Sequence, residues 1–340
     1  MNNPEDSPVG RASAPVGRAI QLYLLAQLQK LSDIAKYLDH DDEAIAAEAV
    51  HDFRVTCQQM RSVLNSFAAY LPLKPTKRLT RDIRELQKAL GEARDIHILL
   101  SQEELVAGLR QELEAKLQEL MDKHAAEASD QTISRQIAEI CQRDVDPYDE
   151  LKLSSKPLSK KGVVLLHRLD AIIPAVLYAQ AAAITAYKPF LPMIRQNTKE
   201  AAANPAASGI TRFWTEPYWP SADVMHRLRL QFKQLRHTLM MLSNYWGDIG
   251  DDLTSSCKEM QDKLGYLNDR RVFATAMFGY WSRNPADTSV PAVWPQLRES
   301  QAEAVDAFLK SWRQLDFNWF HEQLQPLVSW CADQVSYGNR

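Results

Sequence analysis

The sequence contains few glycines and few cysteines, and each shortage excludes a class of protein. Eleven of its 340 residues are glycine, whereas average usage is roughly 7%. Tight turns are therefore few, and the abundance of alanine, leucine, glutamine and glutamate favours helices. The four cysteines lie far apart and form no CxxC pair. We therefore expect no structural disulfides and a reducing compartment.

The sequence also lacks strand patterns and long apolar runs. No segment alternates apolar and polar residues over a convincing length, which predicts an all-α fold. The longest uncharged run, residues 171–187, is interrupted by Pro174 and falls short of the roughly 20 apolar residues that a membrane-spanning helix needs. We predict a buried helix there and no membrane partner. The first 19 residues have no apolar core, so we expect no secretory signal and a cytoplasmic protein.

Apolar residues at helical spacing predict a succession of helices with few interruptions. The predicted helices cover residues 17–38, 43–71, 76–91, 93–126, 132–142, 160–190, 222–246, 250–283, 295–315 and 317–335, and a kink is allowed for within residues 93–126. Pro72 and Pro75 predict the break before the third helix, because proline cannot sit in a helix interior. Residues 196–222, which are rich in proline, glycine and aromatic side chains, are predicted to form a long loop.

Two segments of the sequence repeat the same cationic spacing. Residues 50–67 read VHDFRVTCQQMRSVLNSF, and residues 225–242 read MHRLRLQFKQLRHTLMML. Further along, residues 86–99 and 260–273 align as well. The first histidine of each copy precedes the aligned glycine by 40 residues in one case and 39 in the other. Two motifs in the same order at nearly the same spacing predict two related helical units, which we call the first and second repeats.

The second motif aligns a glycine and an aspartate of the two repeats. Gly91 corresponds to Gly265, and Asp95 corresponds to Asp269. An aspartate next to basic residues is more often an ion-pair partner than a ligand. We therefore expect both aspartates to orient basic side chains rather than to bind a ligand.

On a helix, the cationic residues of each repeat share one face. At about 100° per residue, the offsets 0, 3, 7 and 10 fall within roughly an 80° arc. The opposite face is apolar in both repeats, so each helix is predicted to pack one face into a core and to present the other. The apolar residues are Phe53, Met60, Leu64 and Phe67 in the first repeat, and Leu228, Phe232, Leu235, Leu239 and Leu242 in the second. The cationic residues are His51, Arg54 and Arg61 in the first, and His226, Arg229, Lys233 and Arg236 in the second.

The cationic stretches contain no acidic residue. Residues 53–79 and 224–247 carry only basic charges, although the chain as a whole has a net charge of −3. A solvated helix face normally mixes both signs, so the segregated cations indicate an anion site. Arginine and lysine donors suit phosphoryl oxygens. No aromatic residue interleaves with the cations, which disfavours nucleic acid as a partner, because such sites commonly add stacking side chains.

The pattern H-x-x-R-x-x-x-x-x-x-R on a helix, followed by L-G-x-x-R-D and written twice, resembles the CHAD family (conserved histidine α-helical domain). The resemblance extends over residues 15–335. It implies two four-helix bundles in a pseudo-twofold arrangement around a basic surface or pore, which binds inorganic polyphosphate without catalysis, metal or cofactor. It implies phosphate contacts for His51, Arg54, Arg61, Arg84, His226, Arg229, Lys233, Arg236 and Lys258.

The sequence departs from the family pattern at four positions. Gln58, Gln59 and Gln234 stand where relatives carry basic residues, and Asn268 replaces the arginine of the second L-G-x-x-R-D. These changes predict weaker binding of polyphosphate, a restriction to short chains, or a site for another anion. Many relatives are fused to a triphosphate-cleaving CYTH domain, which we expect this chain to lack, so we expect no enzymatic activity.

The predicted domain organisation follows the repeat. Residues 1–15 are expected to be a disordered lead, residues 16–145 the first helical bundle, residues 146–160 a linker, and residues 161–335 the second bundle. Together they are expected to form one domain.

Two functions besides polyphosphate binding stay open. One is an adaptor that brings protein partners to polyphosphate granules, for which the tryptophan-rich residues 211–220 are a candidate docking surface. The other is a metal-dependent phosphohydrolase, for which the chain offers no HExxH motif and no close histidine–aspartate cluster apart from Asp95-x-His97.

Overall fold

The computed structural model describes residues 15–128, except residues 39, 41, 72 and 90, together with residues 167–188 and 222–337. These residues form helices and no named strand, so the all-α prediction is confirmed for this part of the chain. Two short 3₁₀ segments, Ala68–Tyr70 and Gly247–Gly250, accompany the α-helices. The α-helices are α1 (Val16–Ala35), α2 (Glu43–Ser66), α3 (Leu73–Ala89), α4 (Gly91–Leu100), α5 (Ala107–Ala128), α6 (Leu169–Thr185), α7 (Ala222–Trp246), α8 (Asp251–Arg283), α9 (Ser289–Trp312) and α10 (Phe317–Tyr337).

Two predicted helix starts are too late. Helix α3 begins at Leu73, before Pro75, and α9 begins at Ser289, before Pro291. Both prolines lie in a first helical turn, where the missing backbone N–H would have no intrahelical partner in any case. Helix α9 even continues through Pro295.

The prediction of a helix over residues 93–126, with at most a kink, is wrong, because the chain leaves the helix after Leu100 and resumes it at Ala107. Side chains that follow the break satisfy the last carbonyls of α4. Ser101 Oγ donates to the Ile98 carbonyl at 2.9 Å, and Gln102 Nε2 donates to the same oxygen at 3.1 Å. Arg110 Nη1, from α5, donates to the Leu100 carbonyl at 3.2 Å. These bonds stabilise the end of α4 and the turn into α5.

Several sequence predictions concern residues outside the described part of the chain. They are the disordered lead up to residue 14, the helix over residues 132–142, the linker over residues 146–160, and the loop that contains residues 211–220.

The larger hydrophobic core lies around α2 and α7. All nine apolar residues predicted for these two helices are buried, with at most 2% of their surface exposed. Helices α1 and α3 pack on α2, while α6 and α8 pack on α7. Burial of such large side chains contributes roughly 1.5–3 kcal/mol each, so this core fixes the positions of the two cationic helices.

A second, smaller core combines parts of both repeats. Ile96 and Leu99 of α4, together with Leu109 and Leu113 of α5, pack with Phe273 and other apolar residues of α8 and α9. An ion pair lies next to this core. The Arg270 guanidinium, 8% exposed, donates to the Glu104 carboxylate at 2.8 Å. The second half of α8 is thereby tied to the connection between α4 and α5.

Helix α6 covers the uncharged run that was predicted to be a buried helix. Ile173, Leu177 and Ile184 are fully buried, which confirms that prediction. Pro174 lies near the start of the helix and does not end it. Among the described residues, none of the helices combines the length and apolar character that crossing a membrane requires.

Candidate functional site

Helices α2 and α7 place the two cationic rows next to each other. Lys233 Nζ donates to Gln58 Oε1, and His237 Nδ1 lies 3.0 Å from Ser62 Oγ. In both pairs the residue numbers differ by 175, so each residue meets its own counterpart in the other repeat. We call such a contact between corresponding residues of the two repeats a self-pair. Successive self-pairs occur between helices that run in the same direction. The rows therefore run side by side and parallel.

The contact between Gln58 and Lys233 gives one departure from the family pattern a structural reason. A second lysine at position 58 would place two ammonium groups against each other at the junction of the repeats. Glutamine instead offers a carbonyl oxygen that accepts a hydrogen bond from the ammonium. The junction thus gives Lys233 Nζ an acceptor in place of a second ammonium group.

The glycine of each repeat lies against the arginine of the cationic row. A Cβ on Gly91 would stand 3.3 Å from Arg54 Nη1, and one on Gly265 would stand 3.6 Å from Arg229 Nε. At Gly91 the absence of a side chain therefore leaves room for the Arg54 guanidinium, whereas at Gly265 a methyl group would meet Arg229 at ordinary van der Waals distance. Leu90, which precedes Gly91 in the L-G motif, lies outside the described residues.

One helical turn after each glycine, an aspartate approaches the same arginine. Arg54 Nη2 lies 3.9 Å from Asp95 Oδ1. Burial raises the pKa of the Asp269 carboxyl, and the nearby Arg229 guanidinium opposes that rise. Both aspartates thus lie where the sequence predicted them, beside a basic side chain.

Two glutamines that the sequence analysis did not select hold the last arginine of each row. Arg61 Nη1 donates to Gln87 Oε1 at 2.6 Å, and Arg236 Nη1 donates to Gln261 Oε1 at 3.3 Å. The two glutamines also align in the repeated segments that contain Gly91 and Gly265. Their aligned positions in the two repeats were the sequence signal that could have identified these glutamines as part of the site.

The rows meet in what we call the central cluster, which consists of Arg54, Arg229, Lys233 and Arg236. Burial lowers the pKa of Lys233 to about 7, and repulsion from the other three members adds to the effect. Burial likewise lowers the pKa of Arg54, although Asp95 opposes that change. Cations that destabilise one another in this way form a site where a bound anion would be strongly stabilised.

Arg61 lies beside the central cluster rather than within it. Burial lowers its pKa, and the next largest cause is the proximity of Arg84. The Nε atoms of Arg61, Arg229 and Arg236 are buried and have no hydrogen-bond partner among the described residues. Arginine donors that are buried without acceptors are costly, and a phosphoryl oxygen is the type of acceptor they suit.

The remaining predicted residues lie at the edges of the rows. His51 is half-buried at the start of the row on α2, and His226 is exposed at the start of the row on α7. Arg84 and Lys258 are exposed on α3 and α8. The structure thus brings Arg54, Arg229, Arg236 and Lys233 together, with Arg61 and Arg84 beside one another, whereas the two histidines lie at the starts of their rows.

A buried polar network lies beneath the junction of α2 and α7. Gln180 Nε2, from α6, donates to Ser66 Oγ at 2.7 Å and to Thr238 Oγ1 at 3.0 Å. Both hydroxyls donate in turn to backbone carbonyls of their own helices. Burial lowers the pKa of His237 to about 3, with help from Lys233. His237 is therefore neutral at physiological pH and supports the cluster without adding charge.

The described residues offer no metal site. Within them, no group of three or more histidine, cysteine, aspartate or glutamate side chains is arranged to hold a metal ion.

Comparison with known proteins matches this arrangement to one family. The model of the CHAD domain matches residues 29–277, which is more than half of the chain. The chain belongs to the CHAD domain family. It is similar in structure to the CHAD domain from the plant Ricinus communis, with 20% sequence identity and a TM-score of 0.48, over 89% of this chain and 93% of that one. No curated protein matches the sequence.

Proposed function

We propose that this CHAD domain binds inorganic polyphosphate, without catalysing a reaction, through the central cluster and the arginines beside it. The observation that carries the proposal is the convergence of cations from both repeats on one half-buried position, where the pKa of Lys233 is lowered to about 7. Such convergence costs free energy in the free protein and is relieved by a ligand of high negative charge density.

A phosphate chain suits the shape of the site. The two parallel rows present donors at intervals of one and two helical turns, which fits a ligand with regularly repeated charges. Affinity then rises with chain length, since each further phosphate adds a weak contact within the same complex. The rows carry no aromatic side chain that could stack on a base, which favours polyphosphate over nucleic acid.

The proposal includes a pseudo-twofold arrangement of two helical bundles around the site. It is supported by the self-pairs at the junction of α2 and α7 and by the matched glycines that face Arg54 and Arg229. In this arrangement each repeat contributes half of the binding surface.

The test is to reverse the charge of one arginine from each repeat. We expect the double variant Arg54→Glu and Arg229→Glu to lose at least about 100-fold in affinity, because charge-assisted hydrogen bonds contribute roughly 1.5–3 kcal/mol each. Isothermal titration with long-chain polyphosphate at two salt concentrations measures the loss, and affinity of the parent protein should fall with salt.

A matched control carries Lys30→Glu and Lys310→Glu, which change the same total charge at exposed positions outside both rows. The control should retain the parent affinity within a few fold at moderate salt. Equal affinity of the parent and the Arg54/Arg229 variant would show that the site is wrong.

A further inference from the structure

Helix α3 carries a further cationic row, of which the proposed site uses Arg84 alone. Its members follow one another at spacings of three and four residues, so they fall within roughly an 80° arc of the helix and extend over about 21 Å. Each of them is exposed. We call this row the α3 stripe, and it consists of Lys74, Lys77, Arg81, Arg84 and Lys88.

The α3 stripe continues the row of α2. Burial lowers the pKa of Arg61, and the nearby Arg84 lowers it further. Gln87, also on α3, accepts a hydrogen bond from Arg61 at 2.6 Å. Helices α2 and α3 are joined by a short connection and pack on each other, which makes them antiparallel neighbours. From Arg84, the stripe therefore runs toward Lys74 and away from Arg54.

The acidic side chains beside the stripe neutralise little of its charge. Arg81 lies 2.8 Å from Asp82 and 3.9 Å from Glu85. Arg81 is 63% exposed and these two pairs lie within α3, so they contribute little in water. Over Leu73–Ala89 the helix holds six basic residues and these two acidic ones, so a strong positive charge remains.

The second repeat reverses the charge at the corresponding positions. Arg84 corresponds to Lys258, as Gly91 corresponds to Gly265, and this register pairs four further cations of α3 with aspartates. The pairs are Lys74 with Asp248, Lys77 with Asp251, Arg78 with Asp252, and Lys88 with Asp262. All four aspartates are exposed. A polyanion is therefore attracted along α3 and repelled along the matching part of the second repeat.

We propose that the α3 stripe is a second binding track, which takes the part of a phosphate chain that extends beyond the central cluster and takes it on the side of the first repeat only. This inference rests on the proposed function. A phosphate chain is the occupant that the observations favour, because the stripe is continuous with the row of α2 at Arg61 and Arg84. Helix α3 has no aromatic residue for base stacking, and among its described side chains Leu73 is the one large exposed apolar residue.

The experiment separates the outer end of the stripe from the central cluster. The stripe variant is Lys74→Gln, Lys77→Gln and Arg81→Gln, and the matched control is Lys30→Gln, Lys310→Gln and Arg313→Gln. The control residues are also exposed and remove the same charge. Glutamine preserves helix propensity, and circular dichroism with thermal unfolding checks that each variant is folded. Binding of long-chain polyphosphate and of tripolyphosphate is titrated at several salt concentrations.

We expect the stripe variant to bind long-chain polyphosphate about tenfold more weakly than the control, since three exposed charge contacts are lost. The slope of log affinity against log salt should fall by about 2, as for three lost contacts to a flexible polyanion. Tripolyphosphate is too short to reach from the central cluster to Lys74, so its affinity should stay unchanged.

Two results with polyphosphate overturn the inference while the proposed function stands. One is equal affinity of stripe variant and control for the long chain, and the other is an equal loss for tripolyphosphate and the long chain. Loss of binding to a single-stranded RNA or to phosphatidylserine vesicles, with polyphosphate binding intact, would assign the stripe to another partner and also overturn it. Failure of the parent protein to bind polyphosphate of any length refutes both proposals.

Discussion

The two repeats carry the same cationic row, but the helices that pack beside that row differ. In the first repeat, α3 ends at Ala89 and a new helix begins at Gly91. In the second repeat, α8 is one helix of 33 residues that runs through Gly265 without a break. Even so, each glycine faces the arginine of its row and each aspartate follows one turn later. The contact between glycine and arginine is thus maintained independently of how the helix around it is built.

The aspartates and glycines beside the two rows also differ in their exposure to water. Asp95 is 66% exposed where it approaches Arg54, whereas burial raises the pKa of Asp269 beside Arg229. Gly265 is buried, while Gly91 is half-buried. Electrostatic interactions are stronger where water is excluded, so we expect the interaction of Asp269 with Arg229 to be stronger than that of Asp95 with Arg54.

The largest difference between the repeats is expected in polyphosphate affinity. The double variant Arg229→Gln and Lys233→Gln should lose about tenfold more affinity than Arg54→Gln and Arg61→Gln, because Lys233 lies among three arginines at the centre and Arg61 lies at the edge. Isothermal titration at about pH 6, where Lys233 is charged, measures both losses. The reverse order would show that the first repeat holds the ligand more tightly and that Gln58 and Gln59 do not weaken it.

A second difference is expected in proton uptake on binding, which we assign to Lys233 of the second repeat. Above a pH of about 7 Lys233 is largely neutral in the free protein, and a bound anion favours its charged form. Binding should therefore take up a proton, and affinity should fall by up to about tenfold per pH unit between a pH of about 7 and the ordinary lysine range.

Titration in buffers of different ionisation enthalpy reports that proton. The variant Lys233→Gln should abolish the proton uptake, whereas Gln58→Ala, at the matching position of the first repeat, should leave it in place. The same lysine makes the unfolded chain bind more protons over this pH window, so the free energy of unfolding should rise with pH there. A pH-independent affinity for the parent protein would contradict the lowered pKa of Lys233.

The smallest difference between the repeats is expected in the free energy of unfolding, when either glycine is replaced by alanine. Gly265→Ala should raise the free energy of unfolding by about 0.5–1 kcal/mol, because glycine weakens a helix interior and the new methyl group meets Arg229 at an ordinary distance. Gly91→Ala should gain less, since it lies at the first position of α4 and crowds Arg54 Nη1. Urea unfolding of both variants measures the difference, and an equal gain at both positions would contradict it.

Residue spacing was sufficient to predict most of the described helices and the buried faces of α2 and α7. The apolar residues assigned to α2 and α7 by helical spacing are all buried, since a periodicity of 3.6 residues is a local property of the chain. The start of α3 was predicted too late because a proline in the first turn costs nothing. The break between α4 and α5 was missed, since it depends on the side chains of Ser101, Gln102 and Arg110 capping α4.

The composition of the site was easier to predict than its assembly. The arginines and Lys233 were selected from their offsets, and the glycines and aspartates from their alignment. The self-pairs of Gln58 with Lys233 and of Ser62 with His237 depend on which helices pack together. That choice is made by the core and not by either row, so no spacing within one helix could reveal it.

The hydrogen bonds between Gln180, Ser66 and Thr238 join three helices directly below the two rows. Apolar packing sets the positions of α2 and α7, and displacement of these helices would in addition leave buried hydroxyl and amide groups without partners. The spacing of cations across the junction is therefore preorganised before any ligand arrives. Under the proposed function, a bound phosphate chain would lose its own conformational entropy, whereas the protein has little left to lose, and we expect fast association that charge steers.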